Sequence, residues 1–177
     1  MTKSGLKNKN GQALIEAVVA ISVLIIGMGG IFSLLASSLK NGRVVADNYM
    51  ATYLAAEGIE IVKNIIDHNA ILRVGDSNIA WNAGFSPGNF ELDYASCESA
   101  AGVCDLGGYR ATGKNLSFSP SAGLFGYGGA APVNFQRTIK LTFVSQDEVQ
   151  VSSVVTWPAG GSRSQINLED HFFNWRP

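Results

Sequence analysis

The chain has 177 residues, 46% of them hydrophobic and 15% charged, a balance too apolar for a disordered polymer and suited to one globular domain with an additional apolar segment. Thirteen basic against fourteen acidic side chains leave a formal charge of −1, so the basic field that holds a polyphosphate backbone is missing and no direct nucleic-acid partner is expected. Cys97 and Cys104 lie close together, but His68 and His171 stand far from them and from each other, which argues against a four-ligand zinc site.

Lys3, Lys7 and Lys9 are the only charges in the first fifteen residues, Glu16 follows alone, and Ala17 to Leu39 is a run of 23 uncharged residues. At about 1.5 Å per residue the run makes a helix of roughly 35 Å, enough to cross a hydrocarbon core of about 30 Å. The lysines precede it, so the positive-inside rule predicts one span of the cytoplasmic membrane, amino end inside and the following domain outside. A secretory signal shares this basic start, and Ala36-Ser37-Ser38 offers a small-residue cleavage site. Against that reading, the run exceeds the usual apolar core of about 7 to 15 residues, and export gives no reason for Glu16. A soluble exported protein cut near Ser38 is the alternative it leaves open.

The segment Lys7-Asn8-Lys9-Asn10-Gly11-Gln12-Ala13-Leu14-Ile15-Glu16 resembles the amino terminus of type IV prepilins and pseudopilins: a short basic leader, a glycine, then an apolar helix with glutamate at its fifth position. The resemblance implies cleavage between Gly11 and Gln12 by a prepilin peptidase, usually with methylation of the new amino terminus, although Gln12 stands where the family commonly has phenylalanine. It further implies that the leader, residues 1–11, is lost while residues 12–39 remain as a membrane and assembly helix. A carboxylate near the start of a membrane helix is tolerable beside a cation, and the amine freed at Gln12 is the nearest candidate. Between staggered neighbours the geometry is better than within one chain, and in the family this contact is proposed to set axial register. The bland reading of Glu16 is a side chain snorkelling to the interface.

Gly27, Gly29 and Gly30 lower helix propensity by about 1 kcal/mol each, and Gly29, Ser33 and Ser37 form a small-residue ridge on which another helix can approach closely. Glycine is also simply frequent in membrane helices, so composition alone fits both readings. Asn41-Gly42 marks a possible bend. Beyond it, Met50, Ala51, Leu54, Ala55, Gly58, Ile61, Val62 and Ile65 share one side of a helical wheel, opposite Tyr49, Tyr53, Glu57, Glu60, Lys63, Asn64 and Asp67. This predicts an amphipathic continuation over residues 40–74 whose stripe needs a cover. Glu57 and Glu60 fit a solvated face, with Lys63 and Asp67 as a surface ion pair.

Residues 75–177 form the expected head. Residues 75–108 and 119–134, rich in Gly, Ser, Asn, Ala and Pro, are expected as loops. Trp81, Phe85, Phe90 and Tyr94 are suited to pinning the first loop onto the core or, less commonly, to stacking on a ligand. Asp76, Asn78, Glu91 and Asp93 are oxygen donors of the kind calcium takes, without the spacing of a known calcium loop. Cys97 and Cys104, facing an oxidising compartment, are expected to form a disulfide around a short loop. A strand is expected over Tyr109 to Phe118. Alternation at Phe135, Ile139, Leu141 and Phe143, and again from Val149 to Trp157, predicts an antiparallel hairpin. A further strand begins near Ile166, and Phe172, Phe173 and Trp175 are placed at the far edge.

The predicted fold is α+β, a long helix on a three- to four-stranded antiparallel sheet, the arrangement the resemblance also implies. No nucleophile elbow or phosphate-binding loop is present, the glycines from Gly123 to Gly129 lack a lysine, and neither histidine stands in a catalytic pattern, so no enzymatic activity and no cofactor is expected. The expected function is a structural subunit, minor rather than bulk, of a type IV pilus or of a secretion or DNA-uptake pseudopilus. Its implied partners are the prepilin peptidase, other pilin subunits and the membrane assembly platform, with a final place on the cell surface. The alternative from another class is a single-pass membrane-anchored binding protein that keeps its leader.

Overall fold

The computed structural model describes residues 9–97, 102–129 and 131–175. The chain divides into two compact units, Met1–Val45 and Ala46–Pro177. Helix α1 (Lys9–Gly75) includes the expected start at Gln12 and ends close to the expected limit at residue 74. It is unbroken at Gly27, Gly29 and Gly30 and at Asn41-Gly42, so neither the glycines nor the expected bend interrupts its hydrogen bonding.

In the second unit the sheet strands are β1 (Gly88–Phe90), β5 (Gln136–Ser145), β6 (Glu148–Ala159) and β7 (Ser162–Phe173), in the order β1-β5-β6-β7 and antiparallel throughout. The hairpin of β5 and β6 follows the predicted alternation. Strand β7 starts four residues earlier than Ile166, because Gly160 and Gly161, with φ of 57° and 92°, close a two-residue hairpin and pair Ser162 with Ala159.

A second sheet, order β3-β2-β4, joins β2 (Ser117–Ser119), at the end of the strand expected over Tyr109 to Phe118, with β3 (Leu124–Gly126) and β4 (Ala131–Pro132), which lie in the segment expected as a loop. The strand expected over Tyr109 to Phe118 is mostly absent. Leu106–Tyr109 is a 3-10 turn capped by Asp105, whose carboxylate accepts from Gly107 N, and the backbone N–H groups of Thr112, Gly113 and Lys114 all donate to the Glu91 carboxylate. Donors committed to a side chain are lost to a ladder.

The amphipathic stripe of α1 packs on the four-stranded sheet as expected. Ile61, Val62 and Ile65 meet Ile139, Leu141, Val149 and Val151 in one cluster, and Ala51, Leu54 and Ala55 meet Val155, Trp157 and Leu116 in the other. Met50 is an exception and is exposed at the stripe's margin. Gly58 faces β6 at close range: a Cβ there would collide with Ser153 Oγ and stand 3.1 Å from Arg137 Cδ. Burying such apolar side chains, at about 25 cal/mol per Å², is what holds this half of α1 in place, since propensity alone rarely stabilises a helix in water.

Candidate functional site

The feature from which the functional reading starts is the first half of α1. Gly11, Gln12 and Glu16 lie in its opening turns and Gly29, Ser33 and Ser37 follow along it, all exposed. Lys3 and Lys7 of the expected leader lie outside the described residues. Gly29, Ser33 and Ser37 recur every four residues and so share one ridge, and at Gly29 nothing approaches within 4 Å of a built Cβ. Every large apolar side chain from Leu14 to Leu39 is exposed, Leu34 and Ile26 by three quarters of their surface. The Ser22 hydroxyl donates to Val18 O at 2.8 Å, so this polar group inside the run is satisfied within the helix. A helix of this length and apolarity near the amino terminus is sufficient to span a membrane.

Cys97 and Cys104 form a disulfide, as expected. Cys104 is buried in the first core cluster and Cys97 packs against it, while Cys97 N donates to the Tyr109 hydroxyl at 3.2 Å. The bridge therefore fastens the loop to the core locally.

The loop aromatics serve packing more than display. Trp81 and Phe90 are buried, Phe85 is half-buried, and Tyr94 alone of the four is exposed. The four proposed calcium donors do not act together. Asp76 Oδ1 accepts from Asn78 N and Nδ2 in a turn after α1, whereas Glu91 and Asp93 are buried among N–H donors. Burial raises the Glu91 carboxyl, but the N–H groups of Lys114 and Thr112, the Thr112 hydroxyl and Gly113 N outweigh it and hold the group below the usual carboxylate range. Asp93 accepts from Ala95 N, Ser96 Oγ and Tyr127 N. Carboxylates wrapped in N–H donors are structural anchors, and among the described residues no three His, Cys, Asp or Glu side chains are placed to hold a metal.

Sequence reasoning missed the largest buried polar group. Arg137 falls on the inward side of β5, between Phe135 and Ile139, and is 1% exposed. Its Nη1 donates to Leu54 O and to Glu57 Oε2, each at 3.0 Å, and its Nη2 to Leu92 O at 2.7 Å. One guanidinium thus ties α1, β5 and the loop carrying Glu91 and Asp93 together. Tyr127 donates to Arg137 O at 2.9 Å, and burial pushes its phenol up to about 12 against the opposing pull of the guanidinium. Glu57 accordingly belongs to a buried network and not to a solvated face. On the outer side Lys63 pairs with Glu60 at 3.1 Å, in place of the expected Lys63–Asp67 pair.

His68 Nε2 lies 3.3 Å from Gly102 O, and His171 Nδ1 lies 2.6 Å from Glu148 Oε1 on the outer side of the sheet. Phe172 packs against the core, but Phe173 and Trp175 do not close the sheet edge as expected and are exposed. No family model, curated protein or solved structure matches the chain.

Proposed function

We propose that this chain is a structural subunit of a type IV pilus or pseudopilus, inserted as a precursor, cleaved between Gly11 and Gln12 and assembled through α1. The observation that carries the reading is the lone carboxylate Glu16, five residues after Gly11, followed at once by the uncharged, exposed run Ala17–Leu39. A helix with no apolar cover of its own must find one in lipid or in neighbouring helices. The ridge Gly29, Ser33 and Ser37 admits close helix approach, and the amine at Gln12 of one copy neutralises Glu16 of the next as subunits leave the bilayer.

The head rests on its own core and disulfide, which suits a domain exported to an oxidising compartment. No enzymatic role and no cofactor is proposed. The partners are the prepilin peptidase, other pilin subunits and the assembly platform, and a minor position in the filament is preferred to the bulk one.

The test is Glu16→Leu expressed beside the wild type with the peptidase and assembly proteins present. The variant is expected to insert and be cleaved normally yet to be missing from sheared filaments. Its normal incorporation would refute the register role. A leader retained in the presence of the peptidase would favour instead a membrane-anchored binding protein.

A further inference from the structure

The four-stranded sheet ends in two unlike edges. Strand β1 is three residues long, and the segment after the 3-10 turn runs along its outer side: Glu91 N donates to Tyr109 O at 2.8 Å, Ala111 N to Asn89 O at 3.0 Å, and Phe90 bridges to Arg110. Strand β7 is twelve residues long and pairs with β6 from Ser162 to Phe173 without a register shift. Strands of about 5–6 residues are usual, and natural edges are shortened, bulged, broken by proline or covered, because an open row of N–H and C=O groups invites another strand. Among the described residues, β7 has none of these devices.

The two-residue turn at Gly160-Gly161 fixes which backbone groups face outward. Both glycines have positive φ, as a type I′ turn requires, and the pair closing such a turn, Ala159 and Ser162, exchanges its hydrogen bonds within the hairpin. Every second residue from Ser162 therefore bonds to β6, and Arg163, Gln165, Asn167 and Glu169 turn their N–H and C=O groups away from it. Among the described residues no backbone bond outside the hairpin reaches them. His171 N, the next outward donor, is taken by Asp170 Oδ1 at 2.8 Å, so the open row ends there. The same four side chains are exposed on the outer side of the sheet, whereas Ile166 and Leu168 pack on the second core cluster.

The charges along the row select the partner. Arg163 at one end donates to neutral groups, Gln136 Oε1 and Thr156 Oγ1. Glu169 at the other accepts from Ser152 Oγ, with the His171 ring 3.5 Å away and already engaged by Glu148. A parallel copy in register sets like charge beside like, whereas an antiparallel copy brings opposite charges together. We propose that the open edge of β7 is the interface with a second copy of this chain, the two strands antiparallel about a two-fold axis at Ile166. That register places Arg163 of each copy opposite Glu169 of the other, Gln165 opposite Asn167, and Ile166 against its own equivalent, and each outward-facing pair exchanges two hydrogen bonds. Centring the pair on Asn167 sets Arg163 against His171, and centring it on Leu168 sets Ile166 against Asp170, so neither register competes. A contact made by strands alone is small, so the dimer is weak and concentration-dependent. The inference concerns the second unit and does not depend on the filament reading.

Both native cysteines are in the disulfide, so an introduced thiol is the reactive one. The test is cross-linking of Asn167→Cys, in the full chain in detergent, by a bismaleimide spanning about 8 Å, the diagonal separation of two such residues in this register. A concentration-dependent dimer is expected, while Lys140→Cys, exposed on the same side of the sheet but on β5, should stay monomeric. Adding Arg163→Glu to Asn167→Cys should lower the yield about tenfold, and adding Glu169→Arg to both should restore it. Gln165→Pro removes an outward N–H and leaves the bonds to β6, so it should abolish the dimer with the melting transition retained. Arg163→Glu decides the matter if the proline variant unfolds. A yield at Asn167→Cys no higher than at Lys140→Cys would overturn the proposal, as would a dimer that survives Arg163→Glu. Failure of Glu169→Arg to restore the yield would overturn it equally, since the pairing rests on opposite charges meeting. A dimer lost on Gly29→Leu and indifferent to Arg163→Glu would assign the association to α1 and overturn it too.

Discussion

Residues 17–39 and residues 51–65 belong to the same helix and are both rich in aliphatic side chains, yet they meet opposite surroundings. In the later stretch Leu54, Ile61, Val62 and Ile65 are buried against β5 and β6, and polar groups occupy the other side. In the earlier stretch apolar side chains point in every direction and all are exposed. The period of the apolar residues makes the difference. One stripe can be covered by one sheet, whereas a rod apolar all round can be covered only by lipid or by several helices. The first half therefore derives its stability from what surrounds it, and the second from contacts within the chain.

Changes in the second unit should accordingly lower its melting temperature without altering membrane insertion of the first. The largest effect is expected from Arg137→Ala, which strands the carbonyls of Leu54 and Leu92 in the core and leaves the half-buried Glu57 without its partner. A loss of about 3–5 kcal/mol is typical when one partner of a buried pair is removed. Thermal unfolding of the full chain in detergent checks it, and a near-wild-type transition would show the network to be dispensable.

Replacing Cys97 and Cys104 together by serine should cost about 2.5 kcal/mol in the chain-entropy model for a closed loop of this size. Reductant should lower the wild-type melting point similarly and leave the double variant unmoved. Gly58→Ala comes next at about 1–3 kcal/mol, because the added methyl meets Ser153 Oγ and Arg137 where helix and sheet touch. An added Ser153→Ala should recover part of that loss, a coupling measurable as a double-mutant cycle.

The smallest effect concerns pH. The hydrogen bond from His171 to Glu148 raises the imidazole above its ordinary value, desolvation opposes this, and the contact with Glu169 adds to the rise. A group whose folded pKa exceeds its unfolded value contributes fully below the unfolded value, about 6.5, and loses that contribution as pH rises through the folded one. Melting temperature should therefore fall slightly over that window in the wild type and stay flatter in Glu148→Gln. The same slope in both would place the titration elsewhere.

Legibility in the sequence followed the same division. The uncharged run was readable from its length without charge, and the helix stripe and the β5–β6 hairpin from their regular periods. The second sheet was hidden because its strands are two or three residues long, too short to show alternation. Arg137 was hidden because a charged residue between Phe135 and Ile139 breaks the pattern that marks the inward side, and only the three-dimensional proximity of Leu54, Glu57 and Leu92 explains its burial. Glu91 and Asp93 showed themselves as oxygen donors, but the sequence held no sign that backbone N–H groups from residues 95, 112 to 114 and 127 would converge on them. Lys63 had Glu60 and Asp67 both within reach on the helix surface, and spacing could not choose between them.

The central claim is that the exposed half of α1 is the mature amino-terminal helix of an assembling subunit. It is tested most directly by N-terminal sequencing and intact-mass measurement of the protein isolated from cells containing a prepilin peptidase. The account predicts a chain beginning at Gln12, with or without one methyl group. A chain beginning at Met1, or at a residue near Ser38, would contradict it.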